Sequence, residues 1–226
     1  MKRILMLSVF AAIAFAGCKK TENTVSKLVT VSYPTVKITS TQYFSFPVGG
    51  GPLPNANTIT ATAYDSFYHE SMIPVVDASH LSNLVPGLYI ATVSAKNSNG
   101  FIGYAYVYVA ITSVPDSVDI SGLYHRVVSP GDTSPGNPAF ITKLATGLYR
   151  TSNVGGVDTG TQKSSIVSAV FATPDLYTLD FGTQPTSVGV LTASNQILTR
   201  GPVDTTISYA LNLTGFGGQQ RTFVKQ

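Results

Sequence analysis

Tryptophan is absent from this 226-residue chain, cysteine occurs once, and only 11% of the residues are charged. Each shortage removes a class of chemistry. One cysteine, Cys18, allows no disulfide, so a domain outside the reducing cytosol must be held by core burial alone. Cysteine-ligated zinc falls with it. Without tryptophan the largest stacking platform for a sugar is missing, and only tyrosine and phenylalanine rings remain. Glutamate is found only at positions 22 and 70, and Glu22 sits in a polar N-terminal stretch. A glycosidase would have to draw on carboxylates distant in sequence, which the pattern does not forbid. No window of helical length carries an apolar stripe at 3.6-residue spacing. No stripe of Lys and Arg marks a nucleic-acid-binding face, and nucleic acid is not an expected partner. No Gly-x-Ser-x-Gly elbow is present, and His69, His80 and His125 have no metal-ligand spacing. Asp65, Glu70 and Asp77 are oxygen ligands of the kind calcium takes, but they are spread too widely for a recognised loop. The expectation is a non-catalytic protein without cofactor or metal.

The first 18 residues, MKRILMLSVFAAIAFAGC, carry an address. Lys2 and Arg3 precede an apolar run, Ile4 to Ala16, that is too short to span a bilayer and ends in small residues. This order reads as a signal peptide over residues 1–17 whose cleavage exposes Cys18. The ending Phe15-Ala16-Gly17-Cys18 resembles the lipobox of bacterial lipoproteins, although Phe15 stands where an aliphatic residue is usual. The resemblance implies acylation of Cys18. Loss of Lys2 and Arg3 would take the formal charge from +3 to +1, a nearly neutral mature chain. Residues 18–27 then form a polar tether, with Lys19 and Lys20 beside the lipid headgroups.

From Leu28 the texture becomes short β-branched and aromatic runs punctuated by Gly, Pro and Asn. VTVSY (29–33), VKIT (36–39), TITATAY (58–64) and MIPVV (72–76) have strand character. The clearest unit spans 86–112. Pro86-Gly87 makes a turn, Leu88–Ala95 runs as a strand, Asn97-Ser98-Asn99-Gly100 makes a hairpin, and Phe101–Thr112 returns. On the return strand Tyr104, Tyr106 and Tyr108 share one face and Ala105, Val107 and Val109 the other. The tyrosines form a candidate stacking ladder for a sugar or a partner protein. They are more simply accounted for as rings covering an outer sheet face, since no tryptophan provides a large stacking platform. The pattern Pro86-Gly87-x-Tyr89-x-x-Thr92-x-x-Ala95-x-Asn97-x-x-Gly100, with YPTVKI (33–38) and FPVGG (46–50) upstream, resembles bacterial immunoglobulin-like domains. That resemblance implies a β-sandwich over 28–112 acting as spacer or interaction platform.

Residues 113–117, SVPDS, read as a linker. Beyond it, residues 118–226 show VDISGLYHRVV (118–128), FITKL (140–144), GLYRTS (147–152), SSIVSAVFA (164–172), LYTLDF (176–181), SVGVLT (187–192), QILTR (196–200), ISYALNLT (207–214) and RTFVK (221–225). Even spacing of such runs predicts an antiparallel β-meander, closed as a barrel or folded as a sandwich. The segment SPGDTSPGNP (129–138), with three Pro and two Gly, is expected to form an irregular loop. Asn153-Val154-Gly155-Gly156 reads as a turn whose glycines lack the helix of a phosphate-binding loop. ISGLY (120–124), ITKLATGLYRTSNVGG (141–156) and the closing Arg221–Lys225 strand are similar to the C-terminal all-β domains of Bacteroidetes-type surface lipoproteins.

The sequence therefore predicts an all-β, two-domain envelope lipoprotein at the outer-membrane surface, anchored through Cys18. The expected role is binding or display, with polysaccharide as the leading ligand class and an outer-membrane transporter as a possible partner. The alternatives are a structural or docking subunit of a surface assembly, and a lipocalin-like carrier with a hollow barrel.

Overall fold

Period-2 alternation of apolar residues organises the chain into fifteen strands among the described residues, and no α-helix forms there. The computed structural model describes residues 30–129, 132–201 and 204–226. The expected signal peptide, Cys18 and the tether lie outside the described residues. No helix among the described residues is long and apolar enough to cross a membrane.

Seven strands precede residue 113: β1 (Thr35–Ile38), β2 (Tyr43–Pro47), β3 (Ala61–Asp65), β4 (Glu70–Met72), β5 (Val75–Asp77), β6 (Gly87–Lys96) and β7 (Ile102–Thr112). They form two sheets, ordered β1-β3-β4 and β2-β7-β6-β5. Ile59, Ala91, Val93, Val107, Val109 and Ile111 are buried between them, with Val36, Ile38, Phe44 and Phe46 packed alongside. The result is a two-layer sandwich. MIPVV is not one strand. Pro74 has no N–H for a ladder, so β4 ends at Met72 and the chain crosses to the other sheet as β5. VTVSY likewise gives no strand from Thr30 to Tyr33. Ser32 instead donates to the Asp65 carboxylate (2.8 Å) and Tyr33 packs edge-on against Phe101.

A buried carboxylate pins the two hairpin tips of this sandwich together. Asp65 is fully buried and accepts from Asn97 Nδ2 at 2.7 Å, Ser32 Oγ at 2.8 Å, and the backbone N–H groups of Phe67 and Tyr68 at 3.0 and 3.2 Å. Burial pushes its pKa up, but these four hydrogen bonds outweigh that and hold it below its ordinary 3.8.

The remaining strands are β8 (Gly122–Ser129), β9 (Asp132–Ala145), β10 (Leu148–Thr151), β11 (Ala169–Ala172), β12 (Gln184–Thr186), β13 (Gly189–Arg200), β14 (Thr205–Asn212) and β15 (Gln219–Lys225). They form one antiparallel sheet, β11-β10-β9-β8-β15-β14-β13-β12, that nearly closes into a barrel. Two four-strand meanders are thus joined through β8 and β15, the first and last strands of this half. Side-chain and bridge contacts close the opposite seam. The Gln184 amide donates to Val170 O (2.6 Å) and accepts from Val170 N (3.0 Å), imitating a strand partner between β12 and β11. Beside it, residues 177–181 bridge β11 through Ala172↔Asp180 and β13 through Thr178↔Ile197.

Two expectations for this half are corrected. In the segment expected as an irregular loop over 129–138, residues 132–138 belong to a strand, because β9 begins at Asp132. Ser134 pairs with Arg126 and Pro138 with His125, so Pro135-Gly136-Asn137 are absorbed as a bulge and the ladder resumes. Likewise the runs expected at 187–192 and 196–200 are not two strands: residues 189–200 form one strand, β13, whose register shifts between Ser194 and Ile197 around Asn195 at φ +51°.

Aromatic side chains fill the barrel. Tyr149, Phe171, Phe181, Tyr209 and Phe223 are fully buried and touch in that order, with ring centroids 5.7, 5.1, 4.7 and 5.9 Å apart. Each buried tyrosine hydroxyl finds a backbone carbonyl: Tyr124 to Ile120, Tyr149 to Val118 and Tyr209 to Val154.

Residues 32–226 constitute one compact unit, and sandwich and barrel share a small core within it. Leu88 and Ala110 of the sandwich pack on Leu148, Val170 and Ala172 of the barrel. Asp180 accepts from Leu88 N at 2.7 Å, and the Thr112 hydroxyl donates to Thr173 O at 2.6 Å. The 113–117 segment is fastened on both sides. Ser113 N donates to Pro174 O, Val114 is buried, and Asp116 forms an ion pair with Lys143 at 2.9 Å.

Candidate functional site

Strand alternation places two charged side chains on the buried face of the barrel. Tyr124 and Phe223 point inward, so Arg126, two residues after the first, and Arg221, two residues before the second, do so as well. The register brings them to one end: Phe223 lies opposite Arg126 and Tyr209 opposite Arg221. Both line a cleft of 350 Å³ at this barrel mouth, rimmed by Gln162, Ser164, Ser165, Thr214 and Gln219, with the Phe216 ring on one wall. That volume falls at the small end of the range for ligand sites.

The Asn153–Val157 turn holds these arginines. Its carbonyls at Val154, Gly155 and Gly156 accept from Tyr209 Oη (2.8 Å), Arg221 Nε (3.0 Å) and Arg126 Nη1 (3.1 Å) respectively. The turn is itself braced by Asn153, whose amide donates to Val157 O and whose carbonyl accepts from Val157 N. Glycine is required at 156, where φ is +57° and a Cβ would lie 2.6 Å from Arg126 Cδ and 2.9 Å from Phe223 Cζ. The turn is thus the inverse of a phosphate-binding loop, since its carbonyls face inward and the positive charge comes from side chains.

Neither guanidinium is neutralised among the described residues. Arg221 is only 6% exposed, and besides Gly155 it donates only to Gln219 Oε1 and Gln220 O, both through Nη1. Arg126 Nε is buried without a partner. Among the described residues neither arginine is ion-paired with a carboxylate. Burial and the adjacent Arg126 charge push the Arg221 pKa below its ordinary value, though a guanidinium stays protonated throughout the accessible pH range.

The tyrosine ladder is placed on the outer face of β7, opposite Ser94, Thr92 and Ile90 of β6. It is not uniform. Tyr104 is exposed and Tyr106 half-buried, whereas Tyr108 stacks on Tyr43 at 6.0 Å in the sandwich–barrel junction. Arg150 covers the other side of that pair, with its guanidinium 5.3 Å from the Tyr43 centroid and hydrogen-bonded to the Tyr43 hydroxyl. Burial raises the pKa of both Tyr106 and Tyr108, with neighbouring phenols adding to it. The histidines are dispersed. His69 contacts the Tyr64 hydroxyl, His80 contacts Ile90 O, and His125 lies on β8. Of the three acidic residues weighed for calcium, Asp65 is consumed by its four donors, Glu70 accepts from Ser98 N, and Asp77 accepts from Ser79. Among the described residues no cluster of three or more His, Cys, Asp or Glu side chains could hold a metal ion.

The sequence reading singled out neither Arg126 nor Arg221. The signal was available, because a charged residue at an inward position of an alternating strand is itself an anomaly.

No family model and no curated protein sequence matches the chain. Among solved structures, the chain is similar to a lipoprotein from Bacteroides thetaiotaomicron. The likeness covers 85% of this chain and 100% of that one, with 16% sequence identity and a TM-score of 0.35.

Proposed function

We propose that this protein is a non-catalytic, lipid-anchored binding protein of the cell envelope that takes a saccharide ligand at the barrel mouth. The immunoglobulin-like sandwich serves as its spacer, and Cys18 as the acylated residue. The observation that carries the reading is the cleft itself: a concave surface of amide and hydroxyl groups with one aromatic wall, backed by two arginines that no carboxylate engages among the described residues. Hydroxyl-rich ligands are recognised by such convergent donors and acceptors. Tyr104 and Tyr106 offer an accessory surface. A packed aromatic interior leaves a lipocalin-like carrier without the empty lumen it requires.

Binding of the purified full-length protein to a panel of polysaccharides, by isothermal titration and glycan array, tests this function. Saccharide binding that is lost on substitution of cleft residues supports it. Failure to bind any saccharide while co-purifying stoichiometrically with an outer-membrane protein would replace it with a docking role. The anchor is tested separately. Acyl chains contribute about 0.8 kcal/mol per buried CH₂, so two or three of them hold a protein stably at a bilayer. Cys18→Ser is expected to move the protein out of the membrane fraction with its folding unchanged, and full retention there would refute acylation at Cys18.

A further inference from the structure

We infer that the ligand of the barrel mouth is acidic: a saccharide bearing carboxylate or sulfate groups, whose anionic oxygens sit between Arg126 and Arg221. This rests on the saccharide reading above and names the chemical class within it.

Two guanidiniums that converge in a largely buried site repel each other and have lost most of their hydration, an arrangement that destabilises a fold unless a negative charge completes it. Here the described residues supply only carbonyl dipoles. Gly155 O and Gly156 O occupy one N–H of each arginine and fix the planes of both groups. Arg221 Nη2 and Arg126 Nη2 are left without hydrogen-bond partners among the described residues, and both side chains line the cleft. The guanidinium is the side chain that best matches planar or tetrahedral oxyanions, through charge-assisted bonds. Positioning is rigid: the turn behind the arginines cannot shift, because Phe216 packs on Gly155 and Phe223 on Gly156. Negative charge is also absent from the rim, where Gln162, Ser164, Thr214 and Gln219 are neutral. A neutral sugar would gain little from this pair, whereas one acidic substituent would satisfy both arginines at once.

The test compares matched ligands and places a carboxylate inside the protein. Full-length protein in detergent is titrated with polygalacturonate and its fully methyl-esterified form, and with dextran sulfate and unmodified dextran. The expected result is binding of the charged member of at least one pair, weakened about tenfold or more when the charge is removed, and falling with ionic strength. Preference for one pair over the other separates carboxylate from sulfate recognition. Gln219 already accepts from Arg221 Nη1 at 3.2 Å and is exposed, so Gln219→Glu supplies an internal counter-ion with little risk to folding. Gln219→Glu is expected to reduce acidic-ligand binding about tenfold while leaving the melting temperature equal or higher. Arg126→Gln is expected to weaken the same binding, and Arg126→Lys to restore part of it. Equal binding of charged and neutral members, indifferent to Gln219→Glu, would overturn the acidic assignment and leave the saccharide function standing. Binding of no saccharide would overturn the function itself, and with it this assignment.

Discussion

Phe181→Ala tests whether the barrel is a solid core. The ring is fully buried between Phe171, 5.1 Å away, and Tyr209, 4.7 Å away. Its backbone bonds, from Phe181 N to Gln196 Oε1 and from Gln184 Nε2 to Phe181 O, survive truncation, so the effect is confined to the side chain. The two ring contacts are worth about 0.5–1.5 kcal/mol each beyond area burial. Adding lost transfer energy and the residual cavity gives a total of about 3–5 kcal/mol. A loss of that size is a large fraction of the stability of most domains, about 5–15 kcal/mol. Urea denaturation followed by far-ultraviolet circular dichroism and tyrosine fluorescence measures it, with no tryptophan signal to obscure the tyrosines. Phe140→Ala on the outer face, where the ring is 57% exposed, is the control and should cost under about 0.5 kcal/mol. If Phe181→Ala also costs under about 1 kcal/mol, the ring lines a void rather than fills a core, and the solid-barrel reasoning is wrong.

Other substitutions probe the seam, the turn and the polar pin. Gln184→Ala strips Val170 of both hydrogen bonds at the barrel seam, and the expected loss of about 2–4 kcal/mol is read by the same denaturation assay. Gly156→Ala forces a left-handed alanine against Arg126 and Phe223. A loss of about 2–3 kcal/mol is expected by thermal melting, along with weakened binding at the cleft. Asp65 has a depressed folded pKa, so its contribution is fully present above its ordinary 3.8 and disappears as pH falls through the lower folded value. Asp65→Asn should therefore lower stability at neutral pH and flatten the acid limb of the stability–pH curve, and an unchanged slope below pH 3.8 would refute the pinning role. Tyr149 has the opposite sign. Burial pushes its pKa up to about 12, so stability is expected to decline between pH 10 and about 12, and Tyr149→Phe should remove part of that decline.

Local patterns carried much of this structure. The 86–112 hairpin is legible because its turn residues and alternation agree over a long span, and β6 and β7 form where they were expected. What sequence could not supply is pairing at a distance. The parallel contact of β2 with β7 joins Tyr43 to Tyr108, and the Gln184 side chain stands in for a strand at the seam. Neither has a local signature. Proline misled in both directions: Pro74 broke an apolar run in two, while Pro135 fitted inside a bulge that β9 tolerates. The site was half legible. Asn153–Gly156 was read as a turn, but its purpose appears only when Arg126 and Arg221 arrive from strands separated by most of the barrel half.

The pairing of β8 with β15 sets an order of events. Tyr124 must find Lys225, and Arg126 must find Phe223, about a hundred residues later along the chain. Until β15 is synthesised, the two meanders have nothing to join them on this side, and each exposes an unpaired edge. Closure is thus a late step with a large loop to close, the slow regime for β topologies. The strand that completes it, β15, also carries Gln219 and Arg221 into the cleft. A chain truncated before Gln219 would lose the latch and the Arg221 wall of the cleft together, so the cleft is complete only in a molecule whose synthesis has passed β15.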